Sequence, residues 1–127
     1  MTVSERTAFS GLIRKKALEL GFDLCGIARY RPLEECKPVL EDWLKAGMND
    51  KMGYLARDIQ KRLDPGLLFQ GAKSIVVTGM NYYSENRQRA PGAPIISRYA
   101  YGIDYHEIVI PRLEELLSFV KKLLPET

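Results

Sequence analysis

Ser74-Ile75-Val76-Val77-Thr78-Gly79-Met80 is the clearest strand in the chain. Its β-branched residues suit a pleated, half-buried surface. Their near-continuous apolarity predicts a strand covered on both faces. Helical patterns lie on either side of it, so the expected fold class is α+β.

On the N-terminal side, Asp64-Pro65 has the form of a cap followed by proline at the first helical position. A short helix through Phe69, closed by Gly71, follows. Residues Asp50 to Ile59 read as another helix, with Asn49 or Asp50 as cap, Met52, Leu55 and Ile59 inward, and Arg57 on the flank. Taken alone, Arg57 is a surface salt-bridge residue. Leu33, Cys36, Leu40, Trp43 and Leu44 mark a further helical face. Pro38 lacks an N–H, so the main helix starts near Lys37 or Pro38 after a short turn, and Gly47 ends it. Arg31-Pro32 is a turn. Phe22 to Ala28 is short and apolar, hence a second strand, with Gly26 marking a bulge or a close approach. Ser4 to Leu20 carries Phe9, Leu12, Ile13, Ala17 and Leu20 at helical spacing. Ser4 is its candidate N-cap, and Gly21 stands where a left-handed residue is wanted.

On the C-terminal side, Asn81-Tyr82-Tyr83 ends the strand. The Ser84 to Pro94 loop, with Arg87, Arg89, Pro91 and Gly92, has nothing to build a core and is expected to be exposed and mobile. Ile95 to Ala100 reads as a short strand. The last helix begins near Asp104, which with Glu107 has the form of a capping box. Val109, Leu113, Leu116, Leu117, Val120 and Leu124 make its apolar stripe, and Pro125 ends it. Pro111 should kink or break it. Two or three strands with four to five helices are few for a sheet. The sheet is therefore expected to be partial, or completed by a second copy as a homodimer.

The chain has 127 residues, the length of one domain. Its 46% hydrophobic and 28% charged residues are ordinary for a soluble globular protein. No apolar run reaches membrane-spanning length, and Met1 to Thr7 does not begin a signal peptide. A cytoplasmic protein with reduced thiols is the expectation. Cys25 and Cys36 are the only cysteines and His106 the only histidine, too few for a zinc or iron–sulfur site. No glycine-rich phosphate loop is present. A net charge of +3 permits a nucleic-acid partner without arguing for one.

The densest chemistry lies between Ile96 and His106, I-S-R-Y-A-Y-G-I-D-Y-H, where three tyrosines, an Arg, an Asp and the single His share eleven residues. Two readings stand. It is a ligand or catalytic site, or it is a polar turn whose tyrosines fill core and whose Asp caps the helix. A helix N-terminus favours the carboxylate form of Asp104. Asp104 becomes a proton donor only if something large and apolar desolvates it.

That string, preceded by D-P-G-L-L-F-Q-G-A-K-S-I-V-V-T-G-M-N-Y-Y and by L-G-F-D-L-C-G-I-A and M-G-Y-L-A-R-D, resembles the N-terminal region of epoxyqueuosine reductases across nearly the whole chain. The resemblance implies a cobalamin-dependent iron–sulfur oxidoreductase that reduces epoxyqueuosine to queuosine in tRNA. It implies that residues 1–127 are a single N-terminal domain, a partial nitroreductase-like corrinoid-binding domain without the iron–sulfur and helical-repeat domains. Asp104 would be the proton donor and lie against the corrin; Arg57 and Ser97 would contact the corrinoid. Tyr82, Tyr83, Tyr99 and Tyr101 are candidates to line the ring or to fill core. The two 4Fe-4S clusters of the full-length family have no ligands here, so this part is expected to be inactive alone. Pro111 and N-D-K-M-G-Y depart from the family pattern. The alternative is a free-standing, non-enzymatic corrinoid-binding or assembly module; fold analogy alone adds a flavin-binding relative.

Overall fold

The computed structural model describes residues 2–85, 87 and 90–125. It divides into two compact units, Met1–Gly26 with Val77–Thr127, and Ile27–Val76. Four α-helices and two strands run in the order α1 (Val3–Glu19), β1 (Leu24–Arg29), α2 (Lys37–Lys45), α3 (Ile59–Leu63), β2 (Ser74–Gly79) and α4 (Tyr105–Leu123), with short 3-10 turns between some of them. The strands form a two-stranded sheet. Asp23 N–H donates to Gly79 O at 2.9 Å and Tyr30 N–H to Lys73 O at 3.0 Å. Pairing residues thus run in opposite directions, and the sheet is antiparallel.

In the first unit α1 packs on α4. Ile13, Ala17, Phe22 and Leu116 are its buried apolar residues among those described. The cap of α1 is Thr2, not Ser4: Thr2 and Glu5 form a reciprocal capping box, which places Ser4 inside the first turn. Gly21, at φ +87°, ends α1 as expected. There Arg112 from α4 reaches across, and its Nη1 donates to Gly21 O at 2.9 Å. Lys16 Nζ pairs with Glu115 Oε1 at 3.1 Å one turn further along both helices.

α4 begins at Asp104 as expected, but the capping box does not form. Asp104 accepts from His106 N–H rather than from Glu107 N–H. Nor does Pro111 break the helix, which runs from Tyr105 to Leu123 with Pro111 inside. Proline there removes the bond that Glu107 O would accept, and exposed Glu107 leaves that carbonyl close to water.

The second unit departs further from the sequence reading. The helix expected over Asp50 to Ile59 is a 3-10 turn, Gly53–Ala56, followed by the separate α3. Asp50 and Asp58 both adopt positive φ, 42° and 54°, which no continuous helix accommodates. Asp64 behaves as expected: its carboxylate accepts from Gly66 N–H at 2.9 Å and caps the Pro65–Leu67 turn. The same Oδ1 accepts the Tyr30 hydroxyl at 2.6 Å. That bond, then burial and the negative charge of Asp64, push the Tyr30 phenol pKa above its ordinary value. Leu63 is the buried apolar residue of this unit among those described.

Three other expectations fail. Val76 and Val77 remain exposed, so β2 is not covered on both faces. Ile95 to Ala100 is not a strand but leads into a 3-10 turn, Arg98–Ala100. A side chain at Gly26 would meet open space, so that glycine marks no close approach. The mobility expected between Ser84 and Pro94 falls partly on Asn86, Gln88 and Arg89, which lie outside the described residues; Arg87 and residues 90–94 are exposed.

Gly21 carries the test of this arrangement. An added Cβ would sit 2.7 Å from Arg112 Nη1, on a backbone that side chains disfavour. Gly21→Ala should lower unfolding stability by about 1–2 kcal/mol from the left-handed backbone alone. Gly47→Ala, also at positive φ but facing open space, should show the backbone cost without the clash. Urea unfolding of the two variants checks this, and equal losses would mean that the Arg112 contact does not matter.

Candidate functional site

The Ile96 to His106 stretch folds as two tight turns followed by a helix start. Ser97 precedes the Arg98–Ala100 turn, and its carbonyl accepts from Ala100 N–H at 3.0 Å. Its hydroxyl makes no capping bond. Gly102, at φ +86°, then reverses the chain so that Asp104 can cap α4.

Around that reversal lies a hollow of about 320 Å³, lined by Tyr99, Ala100, Gly102, Ile103, Asp104 and Tyr105. Its wall is aromatic and apolar, with one carboxylate. Tyr99 and Ile103 are 56% and 66% exposed, so this is an open wall rather than an enclosed pocket. Tyr82 meets Tyr99 edge to face, ring centroids 6.3 Å apart.

Asp104 is tied to His106 twice. Its Oδ1 accepts from the His106 backbone N–H at 2.9 Å and lies 2.8 Å from His106 Nδ1, which donates when it carries the proton. The His106 ring stacks on Tyr105 at 4.0 Å. The backbone N–H first, and the imidazole second, stabilise the carboxylate and hold the Asp104 pKa below its ordinary value.

A second hollow, of about 290 Å³, lies on the preceding residues: Arg87, Ala90, Ala93, Ile95, Ile96, Arg98 and Tyr101. Arg98 Nη1 donates to Ser84 O at 3.2 Å, and its guanidinium lies 5.0 Å from the centre of the Tyr83 ring.

Of the three residues expected to form the site, Asp104 lines the first hollow. Ser97 lies on the same turn system but lines neither hollow. Arg57 belongs to the second unit, where it follows the Gly53–Ala56 turn in extended backbone. It is not on a helix flank. It is exposed, its carbonyl accepts from Arg62 Nε at 3.4 Å, and its guanidinium forms no ion pair among the described residues. The sequence reading passed over Ile103, Tyr105 as a wall residue, and Arg98. An arginine set between an apolar pair and an aromatic, I-I-S-R-Y, was the available signal for Arg98. Among the described residues no group of three His, Cys, Asp or Glu could hold a metal ion, and no helix is long and apolar enough to cross a membrane.

Residues 62–127, which include Ser97 and Asp104, match the family described as "Epoxyqueuosine reductase QueG, DUF1730". The chain belongs to the epoxyqueuosine reductase family. Curated members named epoxyqueuosine reductase include one from Cellulophaga algicola, 45% identical over 92% of this chain and 38% of its own length. One from Cyclobacterium marinum is 44% identical over 91% of this chain and 37% of its own. A more distant one from Vibrio cholerae is 37% identical over 82% and 29%. The chain thus spans under two-fifths of the length of these reductases. No solved structure matches it.

The Asp104–His106 pair predicts a titration. In this chain the Asp104 carboxyl should titrate below the usual aspartate range. His106→Ala should bring it part of the way back, because the backbone N–H at 106 remains. A folded pKa below the unfolded value means stability present above the unfolded pKa and lost as pH falls through the folded one. Carboxyl ¹³C NMR of both proteins decides it; an Asp104 midpoint indifferent to His106→Ala would remove the imidazole from the pair.

Proposed function

We propose that this chain is the cobalamin-binding part of an epoxyqueuosine reductase, the partial nitroreductase-like domain in which Asp104 is the proton donor. The observation that carries this is the placement of Asp104. It is the one carboxylate in an aromatic, open wall, within the segment that matches the family. A corrin ring is broad and flat, so it needs a wall rather than a closed pocket. Tyr99, Ile103 and Tyr105 fit one face of such a ring. Ser97 and Arg57 are the further proposed contacts, Arg57 with a guanidinium unspent on any ion pair among the described residues.

Removing an epoxide oxygen to leave an alkene consumes two electrons and two protons and releases water. The corrinoid, when bound, supplies the electrons at the reacting carbon. The chain's own contribution is one of the two protons, with water as the source of the other. Asp104 must be carried from its hydrogen-bonded carboxylate state to a protonated one, and covering its exposed side with apolar surface acts in that direction. Cys25 and Cys36 cannot furnish the four thiolates of one cluster. The reductant is therefore proposed to be the pair of 4Fe-4S clusters of the full-length family, with tRNA as the substrate carrier. On this reading the 127 residues alone bind but do not turn over.

Titration of the chain with cobalamin under reducing conditions tests the binding. A saturable absorbance change is expected, weakened by Arg57→Ala. In a full-length family protein carrying this region, Asp104→Ala should abolish turnover and spare corrinoid binding. Unchanged turnover would refute Asp104 as the donor.

A further inference from the structure

The wall beside Asp104 has little core behind it. Tyr82 and Tyr99 are 69% and 56% exposed, so burial does not choose where their rings stand. Directional bonds choose it instead, and the first of them comes from Asp23. The backbone N–H of Asp23 donates to Gly79 O at 2.9 Å, where β2 ends. Two residues further on, the Asp23 carboxylate accepts the N–H of Asn81 at 2.6 Å. A side chain thus continues the pairing past the end of the strand. The Asn81 side-chain oxygen then accepts from Tyr83 N–H at 2.9 Å, which closes an Asx turn with Tyr82 at its centre. Tyr82 meets Tyr99 edge to face, with centroids 6.3 Å apart and planes at 81°. After the turn, Arg98 donates to Ser84 O at 3.2 Å and lies over the Tyr83 ring. Residues 81–84 are therefore held at both ends, and every residue involved belongs to the first unit.

A bond that only closed a strand would end its influence at Asn81. This one is followed by a second bond and a ring contact, and Tyr99 lines the Asp104 hollow. We propose that Asp23 is a positioning residue for the corrinoid wall: its carboxylate sets the Asn81–Tyr83 turn, the turn places Tyr82, and Tyr82 orients Tyr99. Asp23 lines neither hollow and acts only through Tyr82. Edge-to-face pairs have a preferred geometry, so fixing one ring restricts the other. A wall whose rings are already set costs less ordering when a flat ligand arrives. The proposal rests on the corrinoid reading of that wall.

Cobalamin titration and solution NMR of this chain together test it. Asp23→Ala should weaken cobalamin binding several-fold. Asp23→Asn, whose amide oxygen can still accept the Asn81 N–H, should recover most of the affinity. Asn81→Ala keeps the bond to Asp23 but deletes the one to Tyr83, and should weaken binding as Asp23→Ala does; it carries the test if Asp23→Ala fails to fold. Tyr82→Leu should also weaken binding, and adding Asp23→Ala to it should cost nothing more, because both act through one contact. Fully additive losses would overturn the proposal. Cross-relaxation between the Tyr82 and Tyr99 rings should be present in the wild type and Asp23→Asn and lost in Asp23→Ala. If that signal and the cobalamin affinity both persist in Asp23→Ala, Asp23 is a strand cap and the proposal falls. A wild-type chain that binds no cobalamin would overturn the corrinoid reading alone, and the ring signal would still decide whether Asp23 places Tyr82.

Discussion

The bond from Arg112 to the carbonyl of Gly21 is the constraint on which the first unit depends. It joins the end of α1 to α4 at 2.9 Å, at a residue that holds φ at +87° and where a Cβ would stand 2.7 Å from the Arg112 Nη1. Around it the described apolar core is small: Ile13, Ala17, Phe22 and Leu116. With so few buried side chains, a directional bond has more to decide about where α4 lies. That placement matters at the other end of the helix. Asp104 is eight residues from Arg112, about 12 Å along the axis. The carboxylate stands at the tip of a rigid lever whose fulcrum is a glycine carbonyl.

Pro111 belongs to the same logic. Proline fixes its own φ at a helical value and removes one hydrogen bond. The lost bond belongs to exposed Glu107, in the first turn of α4. The neighbouring residue, Arg112, fastens the helix immediately afterwards. The sequence rule that proline interrupts a helix weighs a missing bond and a clash. It does not weigh an anchor on the next residue.

What could be read from the residues was what local chemistry determines. Gly21, Gly47 and Gly71 all sit at positive φ and end their segments. Asp64 caps with Pro65 behind it, Asp104 caps α4, and Ser74 to Gly79 is a strand. What could not be read was set by the backbone at single residues or by groups distant in the chain. A helix over Asp50 to Ile59 fits the apolar spacing, but Asp50 and Asp58 turn left-handed, and spacing carries no sign of φ. The candidate site divides in the same way. Asp104 was visible as a cap with chemistry around it. The walls supplied by Ile103 and Tyr105 depend on the reversal at Gly102, and the role of Arg98 depends on a carbonyl fourteen residues earlier.

The geometry also sets a condition on any proton transfer from Asp104. Both of its side-chain hydrogen bonds among the described residues come from donors on His106, and both favour the charged carboxylate. Helix polarity acts in the same direction. A carboxylate arranged this way gives up its proton readily and regains it reluctantly. Burial is what opposes these terms, and the chain leaves Asp104 more than half exposed. The opposing desolvation must therefore come from whatever covers the wall of Tyr99, Ile103 and Tyr105. An acid whose proton is retained only under a bound apolar face is one that is armed by its ligand. In open water the same residue is simply the cap of α4.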